Sequence, residues 1–169
     1  MMHLRILSLS AALSVVLTSA APTAVAQKYL LGASASGSSG IEGGGPLGTV
    51  AQTRTRVRLG GDVRVDESPE DAVLVGLDAE IAASSGIGAD LRYGRILSDR
   101  FLVNVGVLGI VAPYSLYGAV GAIEYRIPLS KRVQITLSPE GDFFFLGSDL
   151  PDGTIIWQVR FNGGLRADL

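Results

Sequence analysis

The 169-residue sequence contains no cysteine, and its one histidine, His3, lies close to the start. Without these side chains the rest of the chain has no ordinary zinc, copper or haem site. It also cannot build a Ser-His-Asp or Cys-His catalytic site, and it forms no disulfide bond. These absences leave carboxylate-only enzymes, binding proteins and structural proteins as the candidate classes.

Apolar runs long enough for a membrane-spanning helix are missing too. Residues 1–26 read as a secretory signal peptide, with Arg5, an apolar run from Ile6 to Leu17 and the small residues Ala24-Val25-Ala26 before the predicted cleavage site. That run is too short to span a bilayer as a helix. The predicted mature chain is a single domain of residues 27–169.

Positive charge and helix-favouring composition are scarce in the mature part. It has 13 basic and 16 acidic residues, which gives a net charge of −3, and only two lysines. No basic patch favours a nucleic-acid partner, and no motif indicates a cofactor. All 22 glycines follow residue 26, a density that disfavours long helices.

An alternation of apolar and polar side chains runs through the mature chain instead. From Ile155 onward the odd positions are mostly apolar and the even positions mostly polar. Of the 30 charged residues in the whole sequence, 23 occupy even positions. Successive side chains of a strand point to opposite faces, so this period of two predicts strands with one polar and one apolar face.

Turn-forming residues divide the mature chain into eight such runs. Eight consecutive antiparallel strands predict an all-β, up-and-down closed barrel, because closure removes exposed strand edges. Three-residue turns are expected, since they keep the odd–even pattern across a hairpin. Residues 38–48 are expected to form a flexible loop. The predicted strands are Gln27–Gly37, Thr49–Val65, Ala72–Ala83, Ile87–Leu97, Phe101–Val111, Leu116–Ile127, Val133–Leu146 and Thr154–Leu169.

Two barrels fit this alternation. An apolar interior would make a soluble, lipocalin-like carrier of an apolar ligand, whereas an apolar exterior would make a transmembrane barrel. The aromatic residues favour the transmembrane barrel. Most of them occupy odd positions, which are the apolar ones, and lie near strand ends, as in the two aromatic girdles of a membrane barrel. The predicted girdles contain Tyr93, Phe101 and Tyr125 at one rim, and Tyr117, Phe143, Phe145 and Trp157 at the other.

The charged face also favours an apolar exterior. Away from the turns it carries eight arginines and eight carboxylates, a balance typical of a crowded interior in which charges must be paired. The arginines are Arg54, Arg56, Arg58, Arg64, Arg92, Arg126, Arg160 and Arg166. The carboxylates are Asp62, Asp78, Glu80, Asp90, Glu124, Glu140, Asp142 and Asp168.

Two carboxylate pairs in this face allow two interpretations. Asp78 with Glu80, and Glu140 with Asp142, could serve acid–base catalysis, but lumenal salt bridging is the stronger expectation. Antiparallel pairing about a turn near Ser68 predicts Arg58 opposite Asp78 and Arg56 opposite Glu80. We therefore expect a charge network in the lumen and assign no catalytic or metal-binding residue.

The last strand carries a further pattern: Asn162, Gly164 two residues later, then apolar Ala167 and Leu169. In this pattern and in its hairpins the chain resembles the small eight-stranded outer-membrane β-barrels of Gram-negative bacteria (OmpA/OmpX-type), whose last strand carries such an assembly signal and usually ends in Phe. The resemblance implies an outer-membrane location with both termini in the periplasm. Its implied partners are outer-membrane lipid or lipopolysaccharide and the β-barrel assembly machinery.

An eight-stranded barrel of this kind encloses a lumen just wide enough for side chains, so the resemblance implies a structural or surface role and not that of a bulk porin. Enzymes of this architecture use a histidine, which the mature chain lacks. No enzymatic activity is therefore expected.

Overall fold

The computed structural model describes residues 29–44, 50–82, 85–148, 150 and 153–169; the predicted signal peptide lies outside them. They form one closed barrel in which each strand pairs antiparallel with the next and the last pairs with the first. The predicted eight-stranded antiparallel barrel is confirmed. The strands are β1 (Tyr29–Gly44), β2 (Val50–Val65), β3 (Ser68–Ala82), β4 (Gly86–Ser98), β5 (Phe101–Ala112), β6 (Leu116–Pro128), β7 (Val133–Leu146) and β8 (Ile156–Asp168).

The strands are strongly staggered around the barrel. Following directly paired residues once around from Gly32 leads to Glu42, ten residues further along β1. Such a stagger tilts the strands steeply, within the usual range of about 35–45°. Every residue on the path has an even number, so the alternation continues unbroken around the circumference. The path is Gly32, Asp62, Leu74, Arg92, Gly106, Val120, Asp142, Gln158 and Glu42.

The barrel has two rims. The N-terminal rim contains the start of β1, the end of β8 and the β2–β3, β4–β5 and β6–β7 connections. The opposite rim contains the β1–β2, β3–β4, β5–β6 and β7–β8 connections. At the N-terminal rim, Asp66-Glu67 and Asp99-Arg100 form two-residue turns, so the expected three-residue turns are wrong there. A register shift beside each turn restores the odd–even alternation, as a bulge does by adding an unpaired residue.

Strand β1 is longer than its composition suggests. The residues from Ser38 to Gly44, expected as the first part of a loop, continue the strand. Serine and glycine have weak strand propensity, but this segment pairs with β2 on one side and β8 on the other. Tertiary pairing therefore overrides local preference. As a consequence, Glu42 belongs to the barrel wall.

Polar and apolar faces are inverted relative to a water-soluble protein. On the outside, Leu77 is 66% exposed and Val107 62%, whereas inside, Asp142 is 0% and Asp78 3% exposed. The large apolar residues exposed outside come from all eight strands. In the part of the chain that the structure describes, no helix is long and apolar enough to cross a membrane.

Candidate functional site

The lumen holds all twelve side chains expected to form the charge network. Ten of them are buried and the other two, Arg58 and Glu124, are half-buried. Each arginine in the lumen makes at least one ion pair. The expected residues are Arg54, Arg56, Arg58, Asp78, Glu80, Asp90, Arg92, Glu124, Arg126, Glu140, Asp142 and Arg160.

Arg56 lies at the centre of this network. It pairs directly with Glu80 on β3, as the register predicts, and their side chains are 2.9 Å apart. Its guanidinium also reaches across the lumen to Asp142 on β7 at 3.4 Å and approaches Asp78 at 3.9 Å. One buried cation thus stands among three buried carboxylates from two opposite parts of the wall.

Arg58 behaves differently from its predicted pairing. It lies opposite Asp78 in the β2–β3 register, which confirms the register, but its guanidinium bonds Asp90 on β4 at 2.7 and 2.9 Å. Gly76 explains this bypass, because a Cβ there would collide with both Arg58 and Asp90. Gly76 therefore leaves room for the Arg58 side chain to pass over β3 to Asp90. Asp78 makes its one ion pair among the described residues with Arg56.

A second link crosses the lumen from β4 to β7. Arg92 bonds Asp90 on its own strand at 2.7 Å and Glu140 on β7 at 2.5 Å. Arg160 on β8 bonds Glu140 in turn and lies 2.5 Å from Asp142. Because these groups are shared, the central charges form one continuous chain of contacts between opposite walls.

Three residues that the sequence analysis did not assign extend the network toward the opposite rim. Glu42 bonds Arg54 at 2.9 Å, and Gln158 donates its side-chain amide to Glu42 at 2.8 Å. Tyr114 donates its hydroxyl to Glu80 at 2.8 Å. All three have even numbers, as the other lumenal residues do. The alternation would have identified Glu42 if the predicted β1 had extended to Gly44, and Tyr114 if the β5–β6 connection had been placed over the lumen.

Smaller clusters lie at the N-terminal rim. Arg166 bonds Asp62 through two nitrogens at 2.8 and 2.9 Å, and Arg64 bonds Asp168 at 2.8 Å. Glu124 and Arg126 bond each other on β6 at 2.6 Å. This last pair was expected in the central network but forms a separate contact, because both residues lie near the end of their strand.

Apolar side chains fill the remaining interior. Leu102, Leu74 and Ala72 pack near the N-terminal rim. A larger cluster packs toward the opposite rim and consists of Leu108, Ile110, Leu116, Val120 and Phe144. These residues share the even parity of the charged ones, so parity identifies the inner face but not whether it is ionic or apolar at a given height.

A small cavity lies between the charged groups. Its volume is about 40 Å³, and its walls include Arg58, Arg92 and Glu140 together with Ser138 and Asn162. A polar space of this size suits water. No group of three potential metal ligands occurs among the described residues.

The two carboxylate pairs have the geometry of salt-bridge partners. Glu80 bonds Arg56, and Glu140 bonds both Arg92 and Arg160. Asp78 and Asp142 each lie within 4 Å of Arg56 as well. Glu80 and Glu140 are thus hydrogen-bonded by arginines, whereas Asp78 and Asp142 lie close to arginines but accept no hydrogen bond among the described residues.

The predicted girdle residues all lie outside the barrel in two groups. Phe101 and Tyr125 pair directly near the N-terminal rim, with ring centroids 5.0 Å apart, and Tyr93 lies on the adjacent strand. Phe143 and Trp157 pair directly near the opposite rim. Phe145 is exposed further along β7, and Tyr117 is exposed on the adjacent strand β6.

The residues of the expected assembly signal occupy both faces of β8. Asn162 faces the lumen and donates to the Ser138 carbonyl at 3.2 Å. Gly164 also faces inward, where a Cβ would lie 2.5 Å from the Ala35 carbonyl oxygen, so only glycine allows this approach to β1. Ala167 pairs with β1 on the outer face, and Leu169 donates its backbone N–H to Leu31 at 2.9 Å.

Solved structures with this architecture exist. The chain is similar to neisserial surface protein A (NspA), with a TM-score of 0.54 and 11% identity over 81% of this chain and 96% of that one. It is also similar to a barrel from the de novo design of transmembrane β-barrels, with a TM-score of 0.44 and 10% identity over 80% and 95% of the two chains. No protein-family model and no curated protein sequence matches. The chain thus has the fold of the small eight-stranded barrel NspA.

Proposed function

We propose that this protein is an integral outer-membrane β-barrel with a structural role and a closed, side-chain-filled lumen. The observation that carries the proposal is the inverted polarity of the wall. Leu77 is largely exposed, while its neighbour Asp78 is buried. An apolar exterior is stable in hydrocarbon and costly in water, so the barrel surface fits a bilayer.

The dimensions of the apolar surface support a membrane location. On β3 the outward residues from Val73 to Ile81 are all apolar. Given the rise per residue of a strand and the tilt of this barrel, they cover roughly 20 Å along its axis. The apolar band of outer-membrane barrels is about 25 Å tall. The two aromatic groups lie at the two ends of this band, where membrane interfaces would be.

The filled lumen supports a structural role and not bulk transport. Arg56 and Arg92 connect opposite sides of the lumen through Asp142 and Glu140, and the small cavity beside Arg92 has a volume of only about 40 Å³. Bulk porins need about sixteen strands. Each of the four candidate acid–base carboxylates is buried within 4 Å of an arginine, which supports a non-enzymatic protein.

A soluble carrier of an apolar ligand is not favoured. Such a protein needs an apolar cavity and a solvated exterior. Here the small lumenal cavity beside Arg92 is lined mainly by charged and polar side chains, and Val107 and Leu77 project outward.

Biogenesis and partners follow from the same proposal. The signal peptide of residues 1–26 would direct export, and Asn162, Gly164, Ala167 and Leu169 would form the signal for the β-barrel assembly machinery. Outer-membrane lipid, including lipopolysaccharide, would cover the exterior. The N-terminal rim would face the periplasm.

Gel migration after detergent extraction tests the proposal. Unboiled and boiled samples of a folded membrane barrel are expected to migrate differently, and the unboiled protein should float with phosphatidylcholine vesicles in a density gradient. Leu77→Arg serves as the control, because a charge in the middle of the apolar band should reduce vesicle insertion. A protein that stays soluble and folded without detergent or lipid would overturn the proposal.

A further inference from the structure

Exposed positive charge is confined to one rim of the barrel. Beyond residue 28, every lysine and arginine outside the lumen lies at the N-terminal rim: Arg95, Arg100, Lys131 and Arg132. The connections at the opposite rim contain no lysine or arginine in the sequence, and the part of them that the structure describes contains no charged side chain. The two ends therefore differ in the ligands that they can attract.

The charges of the N-terminal rim are also separated around its circumference. Asp66 and Glu67 of the β2–β3 connection are exposed together with Glu70 near the start of β3; we call these three residues the acidic turn. Four strands away, on the far side of the barrel, the β6–β7 connection exposes Lys131 and Arg132. The rim thus has an acidic and a basic side.

Three cations of this rim, one in the β4–β5 turn and two in the β6–β7 connection, have no carboxylate partner among the described residues. All arginines of the lumen are ion-paired, and Arg95 lies 3.7 Å from Asp71. By contrast, Arg100, Lys131 and Arg132 make no ion pair with any described carboxylate, although Asp99 precedes Arg100. We call these three residues the basic turns; their charge is available to an external anion.

The basic turns continue directly into the apolar surface. Arg100 precedes β5 and the β6–β7 connection follows β6, which is the neighbour of β5. The Arg100 carbonyl accepts the Arg126 N–H at 2.8 Å, which joins the β4–β5 turn to the last part of β6. The Phe101–Tyr125 ring pair lies next to the basic turns, and Leu129 beside them is exposed. The Arg100 guanidinium donates to the Tyr125 hydroxyl at 3.3 Å. Cations thus border aromatic rings, and the rings border an apolar wall.

We propose that the basic turns bind the headgroup phosphate of an anionic phospholipid in the leaflet at the N-terminal rim. This inference rests on the proposed membrane location. A lipid in that leaflet places its acyl chains along the apolar wall and its phosphate at the depth of the aromatic rings, where arginine and lysine attract it. The acidic turn on the far side repels the same lipid, so the preference is local.

Lipid retention tests the site. The refolded protein is inserted into vesicles of equal phosphatidylglycerol and phosphatidylcholine and re-extracted in mild detergent, and its bound lipids are counted. We expect the retained ratio of phosphatidylglycerol to phosphatidylcholine to exceed the vesicle ratio several-fold and to fall as salt is added. The triple change Arg100→Gln, Lys131→Gln and Arg132→Gln should return it to the vesicle ratio.

A matched control changes three charges on the far side. Asp66→Asn, Glu67→Gln and Glu70→Gln should leave the preference unchanged. Equal retention of both lipids by the unmodified protein, or an unchanged preference in the basic-turn variant, would overturn the inference. So would a dimer in lipid-free detergent that both triple variants abolish, because the basic turns would then bind the acidic turn of a second copy.

Insertion separates this inference from the proposed function. If the protein inserts into pure phosphatidylcholine vesicles but shows no lipid preference, only the phosphate site is refuted. If it fails to insert into either kind of vesicle, the membrane location is refuted and the phosphate site with it.

Discussion

Two parts of the lumenal wall contrast sharply although they share one parity. From β2 through β4, and again on β7 and β8, each strand contributes at least two inward charged side chains, and these contact one another across strands. On β5 and the first half of β6 they are mainly apolar, including Leu102, Leu108, Ile110 and Val120. We call these the ionic wall and the apolar wall.

The contrast indicates how a narrow barrel can bury charge. A buried ion pair recovers its desolvation cost only with good geometry and further hydrogen bonds. Arginines of the ionic wall reach carboxylates on other strands because glycines such as Gly76 leave room, while the apolar wall fills the opposite space. The charges are thereby concentrated into a network in which each arginine has a carboxylate partner.

The largest effect should come from removing the cation at the centre of the ionic wall. Arg56→Ala leaves three buried carboxylates without their shared partner, so we expect a loss of about 3–5 kcal/mol in the free energy of unfolding. Urea titration of the protein in lipid vesicles measures it. Arg95→Ala, at an exposed pair, should cost under about 1 kcal/mol. A similar cost for both would mean that the ionic wall is not a stabilising network.

A charge on the outside should cost somewhat less. Leu77→Arg places a guanidinium in the middle of the apolar band, and we expect a loss of about 2–4 kcal/mol in a bilayer. Leu169→Arg, which lies at the N-terminal rim and is highly exposed, should change the unfolding free energy little. Equal tolerance at the two positions would contradict the assignment of the exterior to lipid.

The link across the lumen should show energetic coupling. Arg92→Met leaves the buried Glu140 without this partner, and Glu140→Leu does the same to Arg92. The double change replaces the ionic contact with an apolar contact like those of the apolar wall. We expect the double variant to recover part of the loss, with a coupling of about 0.5–3 kcal/mol. A double-mutant cycle from unfolding curves measures it. Strictly additive effects would show that Arg92 and Glu140 do not interact energetically across the lumen.

The smallest predicted effect concerns the boundary between the walls. The β6–β7 pairing is interrupted where Ser138 and Pro139 lie opposite Ile123 and Glu124, all four within the described part of the chain. Proline has no N–H to donate to a neighbouring strand. Pro139→Val should restore a backbone hydrogen bond and stabilise the barrel by about 0.5–1.5 kcal/mol. Val105→Ile, on the outside of the uninterrupted β5, is the control and should change stability little; a lower unfolding midpoint for Pro139→Val would contradict the prediction.

The alternation in the sequence was sufficient to predict the number of strands, the closed barrel and the β2–β3 register. It predicted Arg56 opposite Glu80 correctly because same-face pairs across a hairpin are fixed by the turn and by charge complementarity. It was insufficient for the contacts of Arg58, because a long side chain can reach past its direct neighbour to Asp90. It also missed Glu42, since the serine and glycine residues of β1 give little local signal.

The sequence by itself determined which residues face inward and which outward, because that depends only on the period of two along each strand. The tertiary structure alone decided which charges meet across the lumen, such as Arg92 with Glu140 and Arg56 with Asp142. Those contacts depend on the stagger of ten residues around the closed barrel, which sets the relative height of distant strands. No local sequence pattern determines the relative height of two distant strands, because that height is the sum of the register offsets of the strand pairs between them.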